Sequence, residues 1–275
     1  MVSIDGRPAA MLLAKEVALA SGSPQWRHVR ARRRLGTGPV GTTATLRLRT
    51  AGIERTVTVA RRFATQETGP NRPAIERLED GVYYVDLSRA TMPAIDRAME
   101  QLAAAPGVVF DVRDYPNGNH QVLSHLLTQP DTSKAWLAIP RVIRPDHGPL
   151  AISSWDTDGW EMPVLAPHIA GRVAFLTGPG AISYAESVMG LVAHYHLGAI
   201  VGSATAGTNG NVAQIAEPTG CSSWFTGLRV TNSDGSRFHV LGVQPTIPAT
   251  QTIAGVAAGR DEVLERALRY VRSGS

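Results

Sequence analysis

Short runs of apolar residues, separated by stretches with helical periodicity, constrain the fold of this chain most strongly. A strand that is apolar on both faces must be covered on both faces, which is typical of parallel strands packed between helices. The sequence therefore predicts an α/β core. The predicted strands are 81–87, 107–112, 173–177 and 199–202, and the predicted helices are 92–104, 183–196 and 262–271.

The amino-terminal part of the chain has a different pattern of polar and apolar residues. Residues 9–20 have a helical pattern, and residues 43–49 and 56–59 alternate polar and apolar side chains on either side of a turn, which predicts a β-hairpin. We therefore divide the chain into a small β-rich module at 1–63, a polar linker at 64–80 and the α/β core at 81–275. Residues 119–170 lack clear periodicity and are expected to form a long excursion over the core.

Composition excludes several classes of protein. Hydrophobic residues make up 43% and charged residues 18% of the 275 residues, as in globular proteins. The chain has no uncharged apolar stretch of the ~18 residues that cross a bilayer, so we expect no membrane partner. Cys221 is the single cysteine, which excludes an internal disulfide and a cysteine-based zinc site.

The basic residues are almost all arginines. Of the 27 basic residues, only Lys15 and Lys134 are lysines, and the net charge is +4. The one dense cluster is Arg27–Arg34, and no series of aromatic residues that could stack on bases follows it. We interpret the cluster as a solvated basic face and expect no nucleic-acid partner; the alternative predicts binding that weakens steeply with salt.

The segment 177–186 is the most informative motif. A strand ends, Gly178 and Gly180 permit a sharp turn, and Ser183 stands at the start of a helix. A serine there is exposed at the carboxyl edge of the sheet, where the positive helix end favours an oxyanion. The alternative is a purely structural role, in which Ser183 is an N-cap serine and Glu186 completes a capping box. Geometry leaves both readings open.

A second candidate turn follows the strand at 107–112. Asp111 to Asn119 form a polar segment in which Gly118 would let backbone N–H groups converge on an anion. Taken alone, this segment is equally compatible with an ordinary loop at the end of a strand.

Together, these segments resemble the C-terminal-processing and tricorn-type serine peptidases. Residues 111–118 are similar to the family's Asp-Leu-Arg-Gly-Asn-x-Gly-Gly segment, and 177–186 to its nucleophile segment. Further along the chain, residues 202–207 resemble the family's Gly-x-x-Thr-x-Gly stretch. Asp234-Gly235 and residues 242–245 resemble its closing pattern of a strand, Gly-Val and a proline. Residues 4–8 and the hairpin resemble part of the family's PDZ domain. The resemblance implies a ClpP/crotonase-like spiral core preceded by a partial PDZ-like module.

The resemblance also implies roles for individual residues. Ser183 would be the nucleophile that forms an acyl-enzyme, and the backbone N–H groups of Tyr184 and Gly118 would form the oxyanion hole. Glu186 would position the nucleophile segment. The implied substrate is a polypeptide, with no cofactor and no metal. Activated esters are a second substrate class, because they need the same nucleophile and oxyanion hole.

The general base is the point at which the sequence departs from the family. Thr208 occupies the register in which the bacterial processing peptidases have a lysine. His239 falls at or near the glutamate position of the tricorn-type branch, where it would act as the base, assist another histidine, or be an ordinary strand residue. His120 and His125, which follow the Gly118 turn, are the other histidines expected to approach the site.

Two further expectations follow from the resemblance. The chain begins almost at the Ile4-Asp5-Gly6 turn, so the module is expected to lack the first strands of a PDZ domain and the peptide groove. This expectation and Thr208 favour the alternative function, a catalytically silent scaffold that holds peptides. Assembly into a homo-oligomer is left open, and no compartment is predicted.

Overall fold

A computed structural model describes residues 1–63, 72–131, 137–142, 152–157 and 159–274. Residues 64–71 of the predicted linker, Lys134 and part of the predicted excursion lie outside these residues. The helices are α1 (Ala9–Leu19), α2 (Pro24–Arg34), α3 (Met92–Ala104), α4 (Tyr184–His194), α5 (Ile253–Ala257) and α6 (Glu262–Ser273). No helix in the described ranges is long and apolar enough to cross a membrane.

Fifteen strands are described, and they form four sheets. The strands are β1 (Ser3–Ile4), β2 (Arg7–Pro8), β3 (Thr43–Thr50), β4 (Ile53–Ala60), β5 (Ile75–Arg77), β6 (Tyr83–Asp86), β7 (Gly107–Asp111), β8 (Leu137–Val142), β9 (Ile152–Thr157), β10 (Arg172–Thr177), β11 (Ala199–Gly202), β12 (Val212–Ala216), β13 (Ser222–Thr226), β14 (Thr231–Asn232) and β15 (Ile247–Pro248).

The main sheet has the order β15-β11-β10-β7-β6-β5. Its pairs are parallel except at the edge, where β5 is antiparallel to β6. One face packs against α3 and α4, and Phe110 stacks on Phe175 within that cluster at 5.3 Å between ring centroids. The opposite face, which includes Val109 and Ala174, packs against α6. The sheet is therefore covered on both sides, and the predicted α/β fold is confirmed.

The amino-terminal residues form a separate antiparallel sheet in the order β2-β1-β3-β4. The predicted hairpin is the β3–β4 pair, whose register runs from Thr43 opposite Ala60 to Thr50 opposite Ile53. The resemblance of this module to a PDZ domain stays a prediction. The remaining sheets are the isolated hairpin β12–β13 and the three strands β14-β8-β9.

Two elements differ from the predicted organisation. Residues 75–77, placed in the linker, form the edge strand β5, which is too short to show an alternating pattern. Residues 24–34, considered only as a basic cluster, form helix α2, whose N-cap is Ser23. Pro24 occupies the first helical position, so the Ser-Pro pair begins α2 and does not merely end α1.

Candidate active site

Ser183 lies between the end of β10 and the beginning of α4. Its backbone dihedrals are φ 51° and ψ −112°, so it is one of the few residues other than glycine with a positive φ among those described. Such a conformation is strained and persists only where the surroundings enforce it. Tyr184 is the first residue of α4, so its N–H is among those without a partner inside the helix. The half-buried serine therefore stands beside backbone donors and the positive end of the helix.

The Gly118 turn and the Ser183 turn come from neighbouring strands. β7 and β10 are parallel, with Asp111 opposite Leu176, so both turns leave the sheet at the same edge. Gly180 fits closely there, since a Cβ at this position would lie 2.8 Å from the carbonyl oxygen of Arg113. Gly118 itself has φ +63° and is exposed. The structure therefore brings together the two segments predicted to form the nucleophile and the oxyanion hole.

Arg113 fixes the first part of the Gly118 turn. Its guanidinium donates to both carboxylate oxygens of Asp261, at 2.9 and 2.7 Å, and to Asp111 at 2.6 to 3.1 Å. Tyr84 donates a further hydrogen bond to Asp111 at 2.8 Å. Burial alone would lower the pKa of Arg113, but the two carboxylates outweigh it and raise that pKa. The guanidinium is thus held charged between the turn and the first residue before α6.

Glu186 binds the nucleophile segment to the loop that follows β11. Its carboxylate is fully buried and accepts hydrogen bonds from the N–H of Ser183 at 3.2 Å, of Gly207 at 2.6 Å and of Thr208 at 2.9 Å. The hydroxyls of Thr205, at 2.7 Å, and Thr208, at 3.3 Å, also donate to it. Burial raises the pKa of Glu186, and these donors partly offset that effect. Glu186 therefore holds the backbone of Ser183 in place and makes Thr208 part of the same network.

His120 lies beside the nucleophile segment. Its Nδ1 is 2.9 Å from the hydroxyl of Tyr184, which also accepts the His120 backbone N–H at 3.1 Å. The imidazole stacks on Trp160 with 3.9 Å between ring centroids, and Trp160 and Tyr115 in turn contact Tyr184. Burial lowers the pKa of His120. The structure therefore places the His120 imidazole in an aromatic cluster next to the residue that follows Ser183.

His239 lies in a different environment. Its Nε2 accepts the backbone N–H of Val230 at 3.0 Å, so the lone pair of this nitrogen is already engaged. Burial lowers the pKa of His239, which favours the neutral ring. Among the hydrogen bonds of the described residues, none joins Ser183 to His239 or to His120. The Nδ1 of His125 is 2.9 Å from the carbonyl oxygen of Pro167, so this nitrogen is engaged there.

Sequence reasoning missed two contributors to the site. Trp160 lies far along the chain in the segment without periodicity, and nothing in the sequence links it to His120. Asp261 had a usable signal, because an aspartate directly before a predicted helix is typical of an N-cap, and it does accept the N–H of Leu264 at 3.1 Å. Its pairing with Arg113, 148 residues away, had no such signal.

A search against protein families gives one match. The model for peptidase family S41 matches residues 81–249, which include the Gly118 turn, the Ser183 turn and the Glu186 network. The chain belongs to peptidase family S41. The resemblance to C-terminal-processing and tricorn-type serine peptidases is therefore confirmed, and with it the class of a serine-type peptidase.

Several solved structures share the fold of this chain. Mature CPAF complexed with lactacystin matches with a TM-score of 0.71 at 15% identity, over 98% of this S41 chain and 76% of its own. The photosystem II D1 C-terminal processing protease matches with a TM-score of 0.54 at 16% identity, over 99% of this chain and 67% of its own. A protein from Parabacteroides merdae ATCC 43184 matches with a TM-score of 0.59 at 18% identity, over 73% of this chain and 64% of its own. A search of curated protein sequences gave no significant match.

Proposed function

We propose that this chain itself cleaves polypeptide amide bonds through an acyl-enzyme on Ser183. The position of Ser183 carries the proposal: a strained residue at the carboxyl edge of a parallel sheet, directly before α4 and beside the turn that contains Gly118. Strain of this kind is concentrated at functional sites because it presents a side chain in a fixed direction. An N-cap serine without a catalytic role needs no positive φ, since N-cap residues ordinarily have extended backbone.

The proposed reaction has two halves. The Ser183 oxygen attacks the carbonyl carbon while its proton passes to a base, and the backbone N–H groups of Gly118 and Tyr184 bind the resulting oxyanion. The carbonyl re-forms, the C–N bond breaks, and the amine leaves with the proton held by the base. Water, deprotonated by the same base, then hydrolyses the ester and restores the hydroxyl.

We assign the base to His120. The proposal needs the tautomer in which Nδ1–H donates to the Tyr184 hydroxyl, because the lone pair of Nε2 is then available for a proton. Burial lowers the pKa of His120, which favours the neutral ring. His239, the base predicted from the sequence, is the competing candidate. Its Nε2 accepts a hydrogen bond from the Val230 N–H. To act as the base, His239 would have to break this hydrogen bond or accept the proton at Nδ1.

The test is hydrolysis by the purified full chain of fluorescently labelled casein and of p-nitrophenyl acetate, an activated ester. We expect both reactions, and we expect Ser183→Ala to abolish both while the protein keeps its fold. Ser124→Ala is the matched control: Ser124 is buried, and its hydroxyl has no hydrogen-bond partner among the described residues, so this variant should keep full activity. A folded wild-type chain that hydrolyses neither substrate would overturn the proposal in favour of a silent peptide-binding scaffold.

A further inference from the structure

The first turn of helix α2, in the amino-terminal module, contacts two loops of the core. The Gln25 side-chain amide donates to the carbonyl oxygens of Thr205 at 3.0 Å and Val240 at 2.8 Å, with a longer contact to Ala206 at 3.4 Å. Ser23, the buried N-cap of α2, also donates from its hydroxyl to the Ala206 carbonyl. We define the two loops as the 203–207 loop and the 238–242 loop. The Gln25 side chain contacts both loops.

These two loops interlock. Val240 donates its N–H to the Gly207 carbonyl at 2.9 Å, and a Cβ on Gly207 would lie 2.6 Å from the carbonyl carbon of Val240. A Cβ on Gly242 would lie 2.4 Å from the Thr205 hydroxyl oxygen. Val240 has φ +74°, which is a strained conformation for a β-branched residue. A strained backbone conformation persists only where the surrounding residues hold it. We therefore expect the contacts of Val240 to maintain its conformation.

The 203–207 loop leads directly to the nucleophile. The Thr205 residue whose carbonyl accepts Gln25 also donates its hydroxyl to Glu186 at 2.7 Å, and Glu186 accepts the Ser183 N–H at 3.2 Å. Ala206 adds a second path, because its N–H donates to the Ala181 carbonyl, in the Ser183 turn, at 2.9 Å. Two residues, Thr205 and Glu186, therefore link Gln25 of the amino-terminal module to the proposed catalytic serine.

We propose that Gln25 is a positioning residue for Ser183, which acts by holding the 203–207 and 238–242 loops in register. The role in catalysis rests on the proposed function; the effect on the loops does not. Removing the amide donors leaves three carbonyls without these partners and releases the strained Val240 backbone. The amides of Gly207 and Thr208 would then open more readily from Glu186, and Ser183 would spend less time in its reactive geometry.

The experiment compares the full-length wild type with Gln25→Glu and Gln25→Met, which keep the side-chain length but cannot donate to a carbonyl. Gln251→Glu is the matched control, because Gln251 also donates its amide to a backbone carbonyl, that of Arg260. Two quantities are measured: hydrogen exchange at the Gly207 and Thr208 amides, and the reaction with a fluorophosphonate, resolved into its maximal rate and half-saturating concentration. We expect both Gln25 variants to exchange these amides at least about tenfold faster and to lose about fivefold to tenfold in maximal rate, at an unchanged half-saturating concentration. The control should match the wild type.

Exchange at Gly207 and Thr208 that is equal in the wild type and in both Gln25 variants would overturn the proposal. So would loss of exchange protection spread evenly over the core, because that pattern indicates a general loss of stability. If the wild type does not react with the fluorophosphonate, the proposed function fails, but the exchange measurement still decides whether Gln25 holds the loops.

Discussion

The carboxylate of Glu186 accepts the backbone N–H of Ser183 at 3.2 Å. The same oxygen accepts the N–H of Thr208, the residue in the register where related bacterial peptidases are expected to have a lysine. In this chain that position is therefore hydrogen-bonded to the carboxylate that holds the Ser183 backbone. A threonine cannot replace a lysine as the base, so the proposed function needs a proton acceptor from elsewhere, and we propose His120, which contacts the neighbouring Tyr184.

Replacing Glu186 with glutamine should lower stability and activity together. The amide group is close to the carboxylate in shape, but its NH₂ would face at least two of the five donors, so buried donors would lose their acceptor. We expect the free energy of unfolding to fall by about 2–3 kcal/mol, measured by urea denaturation, with a slower ester hydrolysis. Glu217→Gln, on the exposed hairpin, is the control. Unchanged stability in Glu186→Gln would mean that the carboxylate does not hold the site.

The pH dependence distinguishes the two candidate bases. A base works when deprotonated, and burial lowers the pKa of His120 below its ordinary value of 6.5, so ester hydrolysis should rise with pH below 6.5 and level off near neutrality. His120→Gln should lose this rise and reduce kcat/KM by about 100-fold or more. His239→Gln should keep the wild-type profile. The reverse pattern, with the rise lost only in His239→Gln, would assign the base to His239.

The ion pairs of Arg113 should stabilise the fold well beyond an ordinary surface pair. Asp261→Asn keeps an N-cap oxygen for Leu264 but removes the charge that binds the guanidinium in two places. We expect a loss of about 1–3 kcal/mol in the free energy of unfolding, measured by denaturant titration. Asp114→Asn is the comparison, since Asp114 and Arg33 form an exposed pair at 3.8 Å that should contribute at most about 0.5 kcal/mol. Equal effects of the two substitutions would contradict this account.

The effect of Asp261→Asn on the free energy of unfolding should depend on pH. Burial alone would raise the pKa of Asp261, but Arg113 outweighs it and the pKa is lowered below its ordinary value of 3.8. A carboxylate whose pKa is lower in the folded than in the unfolded state stabilises the fold at pH values above its pKa in the unfolded state. This stabilisation is lost as the pH falls through its pKa in the folded state. The stability difference between the wild type and Asp261→Asn should therefore be constant near neutrality and shrink below about pH 4. A difference that grows on acidification would contradict the assignment.

The core of the fold was predictable because its signals are local. Helix α3 spans residues 92–104 and strand β11 spans 199–202, as their sequence patterns predict. Helix α2 was not predicted, since an arginine-rich sequence shows no wide apolar stripe, although Val29 and Ala31 are buried on one face. The Ser23-Pro24 pair was the available signal for its start.

The active site was only partly predictable, for a physical reason. The Gly118 and Ser183 turns were expected to meet because the family resemblance implies an oxyanion hole shared between them. The structure brings them to one edge because β7 and β10 pair in parallel, and parallel strands end at the same edge. The contact of His120 with Tyr184 depends on the path of an irregular loop, which no periodic pattern specifies. The contacts of Gln25 depend on how one module docks on another, and the sequence of neither module records that geometry.

The central claim is that Ser183 is an activated nucleophile, and covalent labelling tests it most directly. The folded wild type is treated with a fluorophosphonate near neutral pH, and the modified residue is located by mass spectrometry after proteolysis. The account predicts one adduct per chain on the peptide that contains Ser183, and none in Ser183→Ala. An unlabelled wild type, or an adduct that persists in Ser183→Ala, would contradict it.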